Sequence, residues 1–313
     1  MPSKVPFAVA LMLGCTMLVA ATTLFAKALG NGALGEVIPA LMVSAARFFF
    51  GFLTVAAVLL ARRAAGRRPW VEPAGGAPAP NWGLQALRTL LGWLAGFLMF
   101  SAAVRLPLAD ASALSFVSPV ATMVFAVVLL GEKVGPWRWL AAGIALCGAL
   151  VLLRPGAGIV QPAALLALGA AAAMGLEAIC IKQLAMTEPP GRTMLINNAM
   201  GAAIGVLAML PVFQWPEGGL TWLLLVAMGS VMVTAQILYL TANRAADASF
   251  VAPFWYATLV WAALYDILAF GQWPDAISVS GAAIVVAGGL LMTWREMRAR
   301  RLAARATLAR GGA

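Results

Sequence analysis

The sequence contains Ala109-Asp110-Ala111-Ser112 followed by Phe116-Val117-Ser118-Pro119, and later Ala246-Asp247-Ala248-Ser249 followed at once by Phe250-Val251-Ala252-Pro253. These two copies of one pattern, Ala-Asp-Ala-Ser then Phe-Val-x-Pro, lie in opposite halves of a chain of 313 residues. A repeat that spans half of a membrane protein predicts two related structural units. In transporters such units form the substrate site where they meet.

The composition is that of an integral membrane protein. Hydrophobic residues make up 63% of the chain, charged residues only 10%, and the mean hydropathy is +0.94. Runs of about 20 apolar residues between short polar breaks predict transmembrane helices. We therefore expect an all-α fold of ten spans, with a flexible Pro/Gly/Ala-rich loop near 62–81. The predicted spans are 7–29, 36–61, 82–104, 108–130, 136–153, 161–183, 192–213, 219–242, 248–270 and 275–294.

The net charge of +10 is distributed unevenly along the chain. With the N-terminus in the cytoplasm, sixteen of the 21 Lys and Arg residues fall in inside segments and three in outside segments, while Arg47 and Arg88 lie within spans. The positive-inside rule then predicts that both termini are cytoplasmic. The basic charge is expected to face lipid headgroups rather than nucleic acid, because no folded basic domain is present to bind nucleic acid.

A second stretch of similarity defines how the halves are related. A constant offset of 155 residues pairs Gly14 with Gly169 and Lys27 with Lys182, so span 1 corresponds to span 6. Five spans per half is an odd number, and the second half must enter the membrane from the opposite side. The sequence thus predicts a 5+5 inverted-topology repeat. The predicted units are a first repeat at 1–155, a second at 156–295 and a basic cytoplasmic tail at 296–313.

Short motifs recur in the same order in both predicted repeats. They lie at 106–119, in Leu130-Gly131-Glu132 and in the glycines of 143–148 of the first repeat, and at 252–256, 270–275 and 281–288 of the second. In these motifs the chain resembles the EamA family of the drug/metabolite transporter superfamily. The resemblance implies a ten-helix transporter with cytoplasmic termini. Gln272 departs from the family, which usually has the Glu of a Gly-Glu pair there, whereas Glu132 keeps that acid in the first half. The two halves therefore differ in charge at this position.

Pro119 and Pro253 lie within the predicted spans 4 and 9. A proline inside a helix frees the carbonyl four residues earlier and bends the helix. The freed carbonyls belong to Ser115 and Ser249, whose hydroxyls could supply the missing hydrogen bonds. The two prolines could be structural kinks alone, or hinges that line a substrate cavity.

Charges inside the spans are the sharpest local signals. Arg47 lies near the middle of span 2, where an arginine costs about 2.5–3.5 kcal/mol on insertion scales. Glu177 in span 6 and Asp266 in span 9 could carry a proton or meet a substrate ammonium, and each of the three could instead form a structural pair. Arg88 is expected to extend to the membrane interface.

Polar and aromatic side chains complete the candidate site. Span 8 carries Gln236, Tyr239 and Asn243 at helical spacing, and span 7 carries Asn197-Asn198. Trp93 and Trp261 lie in the middle of spans, where they cannot be interface anchors, although they could pack against lipid. An aromatic pocket with few polar groups is the usual form of a small-molecule site. The candidate substrate-binding or gating residues are Arg47, Trp93, Ser115, Pro119, Glu177, Asn197, Gln236, Tyr239, Pro253, Trp255, Tyr256, Trp261 and Asp266.

Several function classes fit the sequence poorly. The chain has no histidine and no phosphate-binding loop, so we expect no cofactor, no metal, no catalytic residues and no ATP-driven motor. An intramembrane enzyme acting on lipids would need clustered catalytic groups, and a channel would need a continuous polar lining.

The favoured interpretation is a secondary transporter of small organic metabolites that works by alternating access in a bacterial inner membrane. The resemblance favours export of an amino acid or related metabolite, with import of a nucleoside- or vitamin-like solute as the alternative. The expected partners are a small-molecule substrate and membrane lipids, and a monomer is the expectation for the oligomeric state.

Overall fold

A computed structural model of the chain describes residues 5–66, 79–131, 135–153, 162–245 and 252–311, and these residues contain α- and 3-10 helices but no β-strand. A 3-10 turn, Leu210–Val212, extends α8, and another, Ala252–Tyr256, precedes α10. The α-helices are α1 (Val5–Gly30), α2 (Ala40–Ala64), α3 (Trp82–Ala103), α4 (Leu108–Ser115), α5 (Ser118–Leu130), α6 (Pro136–Leu153), α7 (Pro162–Ala185), α8 (Pro190–Met209), α9 (Gly219–Ala245), α10 (Ala257–Phe270) and α11 (Ala276–Gly311).

The helix lengths fit a protein that crosses a membrane. Seven of the described helices are long and apolar enough to do so, with α4 and α5 together counting as one of them. Three further apolar helices are shorter, namely Trp139–Leu152, Phe254–Phe270 and Ala276–Leu291. The prediction of an all-helical membrane protein is confirmed, whereas the count of ten spans and the location of the termini stay predictions.

Predicted span 4 is divided into two helices. α4 ends at Ser115, and α5 begins at Ser118 with Pro119 in its first turn, where a proline loses no helical hydrogen bond. In the break, the Phe116 N–H donates to the Ala113 carbonyl three residues back. The Ser115 hydroxyl donates to the Ser112 carbonyl at 2.7 Å. The proline is thus accommodated by a break, and the serine satisfies a carbonyl of its own helix.

Two glycines end the helices that follow these breaks. Gly131 (φ 65°) and Gly271 (φ 64°) adopt the left-handed conformation at the ends of α5 and α10, which only glycine adopts at low cost. The second copy of the opening pattern is described only from Ala252 onward. Glu132, Asp247 and Ser249 lie outside the described residues, as does the side chain of Pro253.

The helices pack into two groups and a pair. In the first group α1 packs against α9 and α10, and α2 against α9, whereas in the second group α3 packs against α7 and α8, and α7 also against α5. Contact between α2 and α8 joins the two groups, and α6 packs along α11. Each group combines helices from both halves of the chain, so a site between the groups is built from both halves.

Two glutamates connect the turn before one helix to the start of another, at equivalent places in the two groups. Glu188, in the turn before α8, accepts from the Asn81 N–H and the Gln85 amide of α3, both at 2.8 Å. Glu36, in the turn before α2, accepts from the N–H groups of Glu217 and Gly218 at the start of α9, both at 3.2 Å. Each acid satisfies donors at a helix N-terminus, where negative charge is favourable. We call these opposite ends of the bundle the Glu36 end and the Glu188 end.

The α6–α11 pair depends on close backbone approach. A Cβ added at Gly148 of α6 would lie 2.6 Å from the backbone nitrogen of Val285 and 2.8 Å from the carbonyl oxygen of Gly281, both in α11. Small residues allow this kind of contact between membrane helices, which lack a hydrophobic driving force to associate.

The first prediction concerns this contact. Gly148→Ala should destabilise the protein by about 1–3 kcal/mol, because the new methyl group meets backbone that cannot rotate away. Gly143→Ala in the same helix is the control, since a Cβ there has no neighbour within 4 Å. Thermal unfolding in detergent measures both variants, and an equal Tm for the two would show that the close approach is not needed.

The second prediction concerns pH. The Thr221 hydroxyl beside Glu36, and then the N–H groups of Glu217 and Gly218, hold the pKa of the Glu36 carboxyl below its ordinary value, although partial burial opposes them. A depressed folded-state pKa adds stability above the unfolded-state pKa and loses it as the pH falls through the folded-state pKa. Wild type should therefore exceed Glu36→Gln in Tm at pH 7, and the difference should shrink below about pH 4. A difference independent of pH would contradict this account.

Candidate functional site

The guanidinium of Arg47 lies where the two helix groups meet. Its Nη1 is 2.7 Å from the position that a Cβ on Gly96 of α3 would occupy, so the glycine leaves room for it. The guanidinium carbon is 4.7 Å from the centre of the Phe48 ring and 6.0 Å from that of Phe100, distances at which aromatic faces attract cations. Its buried Nε has no hydrogen-bond partner among the described residues.

The carboxylate of Glu177 lies beside a second glycine of α3. Its Oε1 is 2.7 Å from the position of a Cβ on Gly92. Arg88 pairs with it, with 3.7 Å between Nε and Oε1, and also donates to the Thr193 carbonyl at 3.4 Å. The side chain of Arg88 is only 11% exposed. Arg88 therefore pairs within the bundle with an acid on α7, and its position relative to the membrane interface stays a prediction.

One face of α3 brings these groups together. Arg88, Gly92, Gly96 and Phe100 follow one another at intervals of four residues, which places them on the same side of the helix. Glu177 interacts electrostatically with both Arg88 and Arg47. Sequence reasoning missed the glycines, although Gly92-x-x-x-Gly96 inside a span is a recognised pattern for close helix contact. We call this cluster of Arg47, Arg88, Gly92, Gly96 and Glu177 the α3 cluster.

Aromatic side chains lie next to the α3 cluster. Trp93 stacks on Phe97 with 5.8 Å between ring centres and 12° between planes. The indole nitrogen of Trp93 is buried and lies 3.3 Å from the position of a Cβ on Gly205 of α8. The predicted mid-span tryptophan therefore lies inside the protein, against α8, and does not face lipid.

Five of the predicted site residues have a buried polar atom without a hydrogen-bond partner among the described residues. A buried polar atom without a partner costs roughly 1–3 kcal/mol. Such atoms are therefore positioned to gain from a bound solute or water. The atoms are Arg47 Nε, Trp93 Nε1, Asn197 Oδ1, Gln236 Oε1 and Trp261 Nε1.

Asp266 lies apart from the α3 cluster, in a buried ion pair. Its Oδ1 is 2.7 Å from Lys27 Nζ of α1, and its other oxygen accepts from the Leu108 N–H at the start of α4. Lys27 also donates to Gln272 Oε1 at 2.8 Å and faces the Phe270 ring. Gln272, which departs from the family pattern, therefore supplies a second hydrogen-bond acceptor to Lys27. The contact with Leu108 joins α10 of the first group to α4 at the Glu36 end, and α4 leads through the break into α5 of the second group.

The other predicted residues fall into two further places. The Ser115 hydroxyl bonds within its own helix, and Pro119 is exposed. Tyr239 and Trp255 meet edge to face with 5.5 Å between ring centres, and Tyr256 packs on Phe116 at 4.9 Å. The structure therefore joins Arg47 and Glu177, with Trp93 adjacent, but does not place these aromatic pairs in the α3 cluster.

Two cavities lie toward the Glu36 end. The first, of about 160 Å³, lies between α2, α8 and α9 and is almost entirely apolar. The second, of about 230 Å³, is lined in part by Asp110, Trp273 and Asp275. No group of three His, Cys, Asp or Glu side chains is placed to hold a metal ion in the part of the chain that the structure describes.

Comparison with known proteins decides the family. The family model of the EamA-like transporter family matches residues 6–154 and 161–294, which together cover most of the chain. The chain belongs to this family. The transporter prediction made from the sequence is thereby confirmed at the level of the family.

Named relatives of this EamA-like transporter carry different solutes. A riboflavin transporter of Vibrio cholerae serotype O1 is 32% identical over 65% of this chain and 68% of its own length. A riboflavin transporter of Rhizobium johnstonii is 34% identical over 67% of each chain. A pseudopaline exporter of Pseudomonas aeruginosa is 26% identical over 64% of this chain and 71% of its own length.

A crystal structure of one further protein supports the fold. It aligns with a TM-score of 0.60 at 22% identity, over 92% of this chain and 97% of that chain. At this identity the likeness concerns the arrangement of helices alone.

The third prediction tests whether Gly96 makes room for a working Arg47. Gly96→Ala should reduce transport about tenfold or more, equivalent to about 1.4 kcal/mol, because the methyl group displaces the guanidinium. The displaced group is the end of a flexible side chain, so the protein should still fold. Flux of a transported solute into proteoliposomes measures the effect, with Gly143→Ala as the control. Equal flux in the two variants would remove Arg47 from the site.

Proposed function

We propose that this protein is a secondary transporter that carries a flat, ring-containing organic metabolite across a bacterial inner membrane by alternating access. The observation that carries the proposal is the α3 cluster, where an arginine lies among aromatic faces at the junction of the two helix groups. A partly buried site of this kind suits a solute that has a ring and a polar edge. The solute class is thus the vitamin-like alternative named above, and the two riboflavin-transporting relatives support it.

The packing supports two repeats of opposite orientation. If the first five predicted spans exchange with the last five, the contact of α1 with α9 becomes that of α7 with α3, and both contacts are present. The contacts of α2 with α8 and of α6 with α11 each map onto themselves under the same exchange. Ten spans, with both termini cytoplasmic as the positive charges indicate, complete the proposed topology.

Alternating access then follows from movement of one group against the other. In the described structure the buried contact of Asp266 with the Leu108 N–H joins α10 of the first group to α4, which leads into α5 of the second. This contact lies at the Glu36 end, which is outside the cell in the proposed topology. Access from that side requires this contact to separate. Glu36 and Glu188 each act within one group, so they would keep each group rigid while it moves.

Outward transport of a related metabolite is the second candidate. The relative named as a pseudopaline exporter supports this direction, and the geometry of the α3 cluster is compatible with either one. An inverted repeat gives equivalent inward-open and outward-open states, so the gradient rather than the fold determines the net flux.

The fourth prediction tests the proposed function. Purified protein in proteoliposomes should give saturable flux of riboflavin or of another flat solute from a panel of nucleosides, vitamins and aromatic amino acids. Arg47→Ala should reduce that flux at least about tenfold, because Arg47 lies at the proposed site. Arg105→Ala is the matched control, since Arg105 is exposed and donates to the Ser101 carbonyl at the end of α3.

Two outcomes would count against this proposal. Absence of saturable flux for every ring-containing solute in both directions would contradict the solute class. Equal flux in Arg47→Ala and wild type would place the site elsewhere in the bundle.

A further inference from the structure

The charges of the α3 cluster do not balance. Arg47 and Arg88 supply two positive charges and Glu177 one negative charge, which leaves one positive charge in excess. Glu177 forms its ion pair with Arg88, with 3.7 Å between Arg88 Nε and Glu177 Oε1. The excess charge therefore belongs mainly to Arg47.

The other buried ion pair described above does not remove this excess. Lys27 and Asp266 form a neutral pair of their own, 2.7 Å apart. The rings of Phe48 and Phe100 attract the Arg47 cation through their faces, but they accept no ordinary hydrogen bond from it. A guanidinium has five N–H donors in a fixed planar array, which matches carboxylate and phosphate groups best.

An anionic group is therefore the ligand that this site lacks. In a medium of low dielectric constant an uncompensated charge is costly, and an opposite charge at contact distance gains far more than it would in water. The stacked rings of Trp93 and Phe97 lie next to the same face of α3 and offer an apolar surface to a flat ring.

Resting on the proposed function, we propose that the transported solute is a planar aromatic monoanion and that Arg47 determines this specificity. With such a solute bound, the charges of the α3 cluster and of the solute sum to zero. With its charges balanced by the solute, the protein can change between its inward-open and outward-open states without an uncompensated charge in the membrane interior. A cationic ring would raise the excess to two positive charges and is excluded.

A series of three solutes with the same ring tests this inference. Indole-3-acetate is anionic, indole-3-acetamide is neutral and tryptamine is cationic, so they differ mainly in charge. Isothermal titration calorimetry on purified protein in detergent measures binding. We expect indole-3-acetate to bind at least about tenfold more tightly than indole-3-acetamide, and tryptamine to bind most weakly.

Variants locate the source of this preference. Arg47→Gln should reduce the anion-to-amide ratio below about twofold, whereas Arg47→Lys, which keeps the charge, and Arg105→Gln, which removes an exposed charge, should preserve it. Glu177→Gln raises the excess to two positive charges and should increase the ratio. It also tests the inference should Arg47→Gln fail to fold.

The outcomes separate this inference from the proposed function. Equal binding of acetate and acetamide, tighter binding of tryptamine, an unchanged ratio in Arg47→Gln or no binding of any indole would each overturn the charge preference. If neutral riboflavin is nevertheless transported, the proposed function stands without the charge preference. If no ring-containing solute is transported in either direction, the proposed function itself fails.

Discussion

Arg47, Arg88 and Glu177 place three charges among tightly packed helices, and α3 supplies the space that they need. Gly92 and Gly96 leave two gaps between Arg88 and Phe100 on one face of α3, and the Glu177 carboxylate and the Arg47 guanidinium fill them. Any larger residue at either position would force a charged group out of place. The geometry of the proposed site therefore depends on two missing methyl groups.

This constraint explains how the rest of the bundle is organised. Arg47 comes from the first helix group, whereas Arg88 and Glu177 come from the second, so the cluster spans the junction between them. The corners of the two groups are fixed separately, by Glu36 in one and by Glu188 in the other. A protein built in this way can keep its groups rigid and change the contact between them, which alternating access requires.

The sequence predicted the helices well because hydrophobic length alone decides whether a segment can cross a membrane. It also predicted a disturbance near Pro119, since proline chemistry is local. It did not predict the ion pair of Arg88, whose partner Glu177 lies on another helix. Pairings such as Lys27 with Asp266 and Glu36 with Gly218 join residues that are far apart in the chain, and hydropathy does not specify which faces of the helices meet.

The most direct test of the central claim is an experimental structure of the protein with a transported solute bound. The account predicts that the ring lies beside Trp93 and Phe97 and that its polar edge meets Arg47 across from Gly96. A solute held instead against the α6–α11 pair, or one that leaves Arg47 without a contact, would contradict it.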